Sequence, residues 1–173
     1  MCSCLTVSWV IKITAIYDIK NKKPVEVDTK FRVGSISKTM TAIGLGTLYD
    51  NGKLDWEDSL SKYIPTFKDK NHQPTLRQVA GHQAGIRHYK GAEFISKAQY
   101  NTIAESMSVF ENDKLLFASG TQYKYSTYGY VALGRVIELV SEQNYLEFIE
   151  QKVFQPLGMS NTIPEDAGRD ESN

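Results

Sequence analysis

The sequence predicts an α+β fold that is chiefly helical, with an incomplete antiparallel sheet confined to its N-terminal part. β-Branched and aromatic residues crowd positions 6–17, which read as one or two strands. From Gly34 onward apolar residues recur at helical spacing, and no later stretch reads as a strand. A sheet of one or two strands is marginal by itself, so the predicted strands lack partners and the chain reads as truncated.

The elements follow in order. Thr6 to Ile11 and Ile13 to Tyr17 form the strand signal, Asp18 to Pro24 reads as a turn, and Val25 to Val33 leads in extended form to Gly34. A long helix then runs to about Asp50, with Asn51 and Gly52 as its stop. Its residues are apolar or small on most sides, which predicts a buried central helix. The two interior glycines, Gly44 and Gly46, each cost about 1 kcal/mol relative to alanine, so they predict close approach of another element. Leu54 to Ile64 reads as a loop and a short exposed helix closed by Pro65, and Thr66 to Gln73 as a polar loop. Pro74 and Thr75 open a helix through Val79 and Ala80, and Gly81 to Gly85 turns. One or two helices are predicted between Gly91 and Phe117, then a turn at Ser119-Gly120 and an aromatic run from Tyr123 to Tyr130. Val131 to Ser141 and Tyr145 to Val153 are amphipathic helices, the second stopped by Pro156 and Gly158. Residues 1–33 are thus expected to form a sheet stub, 34–163 a helical region and 164–173 a polar tail.

Composition narrows the function classes. Twenty basic and twenty acidic residues cancel over 173 residues, and neither half is strongly one-signed. This speaks against a nucleic-acid or anionic-membrane surface. Cys2 and Cys4, one residue apart, form neither an ordinary disulfide staple nor a zinc site by themselves. The apolar stretch Leu5 to Ile11 is too short to span a bilayer and lacks the flanks of a signal peptide, so no transmembrane segment is predicted and no compartment is assigned.

Ser35 and Lys38 stand at i and i+3 where the long helix begins, on one face. A hydroxyl beside an amine is the minimum for an activated serine. The plain alternative is an N-cap serine and a solvated lysine. A second copy of the pattern, Ser59 to Lys62, lies in a charged stretch ended by Pro65 and reads as a short surface helix. Downstream, Tyr125, Ser126 and Thr127 sit between a glycine turn and a helix, where loop side chains can be held for a site.

Five stretches occur in order: Phe31 to Ala42, Leu48 to Pro65, Thr75 to Ile86, Tyr123 to Glu138, and Phe154 to Thr162. Together they resemble the serine β-lactamase-related family, which includes class C β-lactamases, penicillin-binding proteins of the DD-peptidase type and esterases on the same fold. Tyr125-Ser126-Thr127 followed by an aromatic-Gly-Tyr run looks like the mitochondrial serine β-lactamase-like branch and its bacterial relatives. The resemblance implies a β-lactamase/transpeptidase-like fold, represented mainly by its helical region, and a serine hydrolase acting on an amide or ester of a small molecule or peptide. Ser35 would be the acylated nucleophile, Lys38 its proton acceptor and Tyr125 the acid and base working with Lys38. Thr127 would face substrate, at a position where the family commonly has asparagine. The resemblance implies no metal and no organic cofactor.

Three features depart from the family pattern. Ser119-Gly120 stands where Pro-Gly is usual, and residues 9–18 replace a glycine-rich strand. The family's late Lys-Thr-Gly or His-Thr-Gly strand, which supplies one oxyanion donor, has no counterpart here: beyond Ser126 the sole lysine is Lys152 and there is no histidine. Impaired activity is therefore expected, and a non-catalytic binding or scaffold protein that retains the fold is the alternative. His82 lies in the family's His-x-x-Gly turn and reads as structural; His72 and His88 have no companion motif.

Overall fold

The computed structural model describes residues 15–67, 73–96 and 98–164. Cys2, Cys4, the strand predicted over residues 6–11, His72 and the tail from residue 165 lie outside the described residues. The chain falls into two compact units divided between Arg32 and Val33.

In the first unit, β1 (Ile16–Asp18) pairs antiparallel with β2 (Lys23–Pro24), Ile16 opposite Pro24 and Asp18 opposite Lys23. The predicted turn is thus the tip of a hairpin. Asp18 makes it, its carboxylate accepting the Asn21 backbone N–H at 3.0 Å and side-chain amide at 2.7 Å. The extended run expected over Val25 to Val33 is not a strand. Glu26 and Thr29 close a turn there, with Thr29 N–H donating to Glu26 O at 3.2 Å and Glu26 N–H to Thr29 Oγ1 at 2.8 Å. A threonine hydroxyl that can bond the nearby backbone competes with a sheet ladder, and here it wins.

The second unit is helical. A 3-10 turn (Gly34–Ile36) leads into α1 (Ser37–Asp50), which Gly52 stops with φ of +67° and an N–H donated to Tyr49 O at 2.8 Å. Then come α2 (Leu60–Tyr63) and α3 (Leu76–Ala80), the latter opened by a reciprocal capping box between Thr75 and Gln78. A 3-10 turn (Gly91–Ile95) and α4 (Ile103–Met107) follow. Next is α5 (Thr127–Ser141), capped by Ser126, which starts four residues earlier than the periodicity predicts. Last is α6 (Tyr145–Ile149), which runs on as a π-helical turn (Glu150–Phe154).

The centre of this unit is α5, not α1. It touches α1, α2, α3, α4 and α6, and Ala132, Leu133, Val136 and Ile137 on it are fully buried. Burying each of the larger side chains contributes about 1.5–3 kcal/mol. By contrast α1 buries one face, Thr41, Gly44, Leu45 and Leu48, and leaves Ile43 39% exposed. Its sequence is apolar or small on most sides, so its pattern alone could not tell a one-sided helix from a buried one. The two glycines divide the same way. A Cβ on Gly44 would lie 2.9 Å from Ile149 Cδ1, whereas one on Gly46 would meet nothing within 4 Å. The helix predicted as exposed, α2, is anchored by Leu60 and Ile64, both buried.

Candidate active site

Gly34, with φ of +51°, adopts a backbone conformation that costs glycine little, and the 3-10 turn it opens carries Ser35. The sequence placed Ser35 in a first α-helical turn. Lys38 is the second residue of α1, so the pair straddles the junction between the 3-10 turn and the helix. Lys38 Nζ donates to Ser35 Oγ at 3.2 Å, and Ser37 Oγ fixes the turn by donating to Gly34 O at 2.7 Å. From the loop before α5, Tyr125 OH meets Ser35 Oγ at 2.7 Å. The Lys38 ammonium also lies 5.1 Å from the centroid of the Tyr125 ring and 5.7 Å from that of Tyr130.

One serine oxygen therefore contacts an amine and a phenol at once. Hydrogen bonds from Lys38 and then Ser35 hold the Tyr125 phenol below its ordinary pKa, against a smaller opposing effect of burial. Thr127, the first residue of α5, adds a minor hydrogen bond in the same direction. The geometry thus brings Ser35, Lys38, Tyr125 and Thr127 into one neighbourhood.

The loop that carries Tyr125 is tied down on every side. Ser126 is buried; its Oγ donates to Arg87 O at 2.8 Å and accepts the Gly129 N–H at 3.0 Å as the cap of α5. Lys124 N–H donates to His82 O at 2.9 Å, and Tyr130 OH to Ala80 O at 3.1 Å. Two histidines complete the frame. His82 Nδ1 accepts the Ser126 N–H at 3.2 Å, and His88 Nδ1 accepts the Thr127 N–H at 3.3 Å. The ring centroids of His82 and His88 lie 4.5 and 5.4 Å from that of Tyr125. Burial and the Lys38 charge lower both histidine pKa values, and for His82 the His88 ring adds to this. His82 carries a family-like turn motif, whereas His88 had no sequence signal.

Arg87 fixes the segment that presents His88. Its guanidinium bonds both oxygens of Glu93 at 2.6 and 3.0 Å, Val109 O at 2.8 Å, His88 O at 3.1 Å and the Asp113 carboxylate. Tyr128 OH donates to Glu93 at 2.9 Å, and its ring stacks on Phe110.

The rival serine pattern is structural. Ser59 Oγ caps α2 and lies 2.8 Å from Ser61 Oγ, while Lys62 Nζ pairs with Asp58 at 2.7 Å. Among the described residues no group of three or more His, Cys, Asp or Glu side chains could hold a metal ion, and no helix is long and apolar enough to cross a membrane.

Known proteins share this arrangement of elements. The chain is 25% identical to the serine beta-lactamase-like protein LACTB, mitochondrial, of Homo sapiens, over 86% of this chain and 40% of that protein. It is 30% identical to penicillin-binding protein 4* of Bacillus subtilis, over 84% of this chain and 33% of that one. The solved penicillin-binding protein from Bacillus halodurans superposes with a TM-score of 0.77 at 25% identity, over 87% of this chain and 49% of that chain. The chain thus spans well under half the length of the curated relatives it matches. The family profile described as Beta-lactamase matches residues 9–169, nearly the whole sequence. With its fold and its sequence both matched, the chain belongs to the Beta-lactamase family and has the β-lactamase/transpeptidase-like fold.

Proposed function

We propose that the chain is the helical part of a serine hydrolase that cleaves an amide or ester through an acyl-enzyme on Ser35. The observation that carries this is the three-way contact of Ser35 Oγ with Lys38 Nζ at 3.2 Å and Tyr125 OH at 2.7 Å. As an ammonium, Lys38 donates to Oγ, which leaves the one serine proton directed at Tyr125. The lowered pKa of Tyr125 favours its phenolate beside the Lys38 ammonium, and it is this phenolate that takes the serine proton and becomes the neutral phenol.

In this reading Oγ adds to the substrate carbonyl carbon as its proton passes to the Tyr125 and Lys38 pair. The pair returns the proton to the leaving amine or alcohol as the carbonyl re-forms, leaving an ester on Ser35. Water then attacks that ester, gives a proton to the same pair, and Ser35 recovers it. Thr127, at the head of α5, faces substrate with one short hydroxyl in place of the separate NH2 and carbonyl of a carboxamide. Residues 34–163 form the working region of a partial domain and residues 1–33 its sheet stub.

The sequence contains no Lys-Thr-Gly or His-Thr-Gly beyond Ser126. Loss of one oxyanion donor slows acylation by about 100- to 1000-fold. The second reading is a binding or scaffold protein that retains the fold without the chemistry. Treatment with a fluorophosphonate or a fluorescent penicillin, followed by mass spectrometry, separates the two. A slow adduct on Ser35, absent from S35A, is expected. A folded sample that takes no adduct sinks the hydrolase reading, and an adduct that persists in S35A assigns the chemistry to another residue.

A further inference from the structure

We propose that His82 and His88 are positioning residues for Tyr125: as neutral rings they accept the Ser126 and Thr127 amide protons and so hold the phenol oxygen against Ser35. The inference deepens the hydrolase reading and rests on it for its consequence in catalysis, although the clamp itself is independent of activity.

The two rings come from one short segment and reach consecutive amides of another. His82 Nδ1 takes the N–H of Ser126 and His88 Nδ1 that of Thr127, the two residues directly after Tyr125. A ring that accepts at Nδ1 carries its proton on Nε2, so both histidines are in the same neutral tautomer. The Tyr125 ring is also in contact with both of them, tilted on His82 and edge-on to His88. His82 holds a left-handed backbone with φ of +59°, a conformation costly for a histidine and maintained only where the surroundings enforce it.

Burial and the Lys38 charge oppose protonation of the pair. Lys38 approaches from α1, and Tyr123, Tyr125 and Tyr130 surround His82. Tyr89 and Tyr125 flank His88, the Arg87 guanidinium donates to the His88 carbonyl, and the Lys124 backbone N–H donates to that of His82. The nearby carboxylates Glu93 and Asp113 are turned to Arg87. A proton added to either Nδ1 would set donor against donor at Ser126 or Thr127 and place a second cation beside Lys38. The loop would then be released and Tyr125 with it.

Asparagine offers the test, because its Oδ1 occupies the place of Nδ1, tolerates a left-handed backbone and does not titrate. The amide resonances of Ser126 and Thr127 are followed by NMR from about pH 8 to about pH 5 in the full chain. They are expected to shift together with a midpoint below the ordinary histidine value, and to stay flat in the H82N/H88N double variant. Fluorophosphonate labelling of Ser35 is read over the same range. It should fall as the amides shift, and fall about 10-fold at neutral pH in H82G and H88A, with Asn at either site regaining most of the loss. H82G matters because it relieves the backbone while removing the acceptor, so a rate equal to H82N would overturn the clamp. Amides that ignore histidine titration would overturn it as well. Titrating amides with no labelling at any pH would support the clamp and defeat the hydrolase reading instead.

Discussion

Tyr125 presents its phenol oxygen to Ser35 at 2.7 Å while its ring rests between His82 and His88. Replacing it by phenylalanine keeps the ring contacts and removes one oxygen. Y125F should therefore unfold within about 0.5 kcal/mol of the parent. Its Ser35 labelling should drop about 100-fold or more, the usual scale for a lost acid and base. Denaturant unfolding and adduct kinetics on one sample check both, and labelling at the parent rate would remove Tyr125 from the chemistry. Ser35, Lys38 and Tyr125 were legible because several motifs occur in a fixed order, which a lone Ser-x-x-Lys does not provide. His88 was not legible, since a ring that accepts a main-chain N–H leaves no spacing or periodicity in the sequence. Thr127 sits at the head of α5, where its backbone N–H serves the His88 ring and its hydroxyl stays near Tyr125.

The stop of α1 and the start of α3 are legible in the sequence, whereas the start of α5 and the helix environments are less so. Local rules fixed the stop of α1 at Gly52 and the Thr75 cap of α3, because caps depend on residues within one turn. Which helix lies at the centre depends on partners far along the chain, and α1 carries apolar or small residues on most sides. The two glycines of α1 give a direct measure of this. G46A should stabilise the protein by about 1 kcal/mol, the gain in helix propensity with no steric cost. G44A should show no such gain, because its new methyl must displace Ile149 Cδ1 from 2.9 Å and also meets Ile137 Cδ1 at 3.3 Å. Overpacking of that kind costs about 1–3 kcal/mol and offsets the propensity term. Urea denaturation of the two variants distinguishes them; equal gains would mean that α6 can yield at Gly44 without loss.

On the scale of the whole molecule, the expected α+β class holds, with a small two-stranded antiparallel sheet and a helical majority. The sheet was the least legible part. Two strands of two and three residues carry almost no alternation, and a threonine turn interrupts the run that looked extended. The ionisable groups, taken together, set a pH profile for stability. The Arg87 ion pair holds Glu93 at about 2, and Asp58 is lowered because hydrogen bonds from Lys62 and Tyr63 outweigh its burial. Depressed carboxylates stabilise the fold above their unfolded values, and that contribution is lost as pH falls through about 4 toward 2. His82 and His88 are depressed too, chiefly by burial, so below about 6.5 the unfolded chain binds protons that the fold refuses. Stability therefore declines in a first acid step before the carboxylates begin a second. At the alkaline end burial raises Tyr130 and Tyr145, and burial with a neighbouring carboxylate pushes Tyr63 and Tyr128 up to about 12. Raised phenols stabilise the fold fully below their unfolded value of about 10, and the effect is lost as pH climbs toward their folded values. Thermal unfolding should thus give the highest Tm between about pH 7 and about pH 9, with a shallow fall toward pH 5 that H82N/H88N abolishes. A Tm that stays level from neutral pH down to about 5 would mean that the two rings take up protons without cost to the fold.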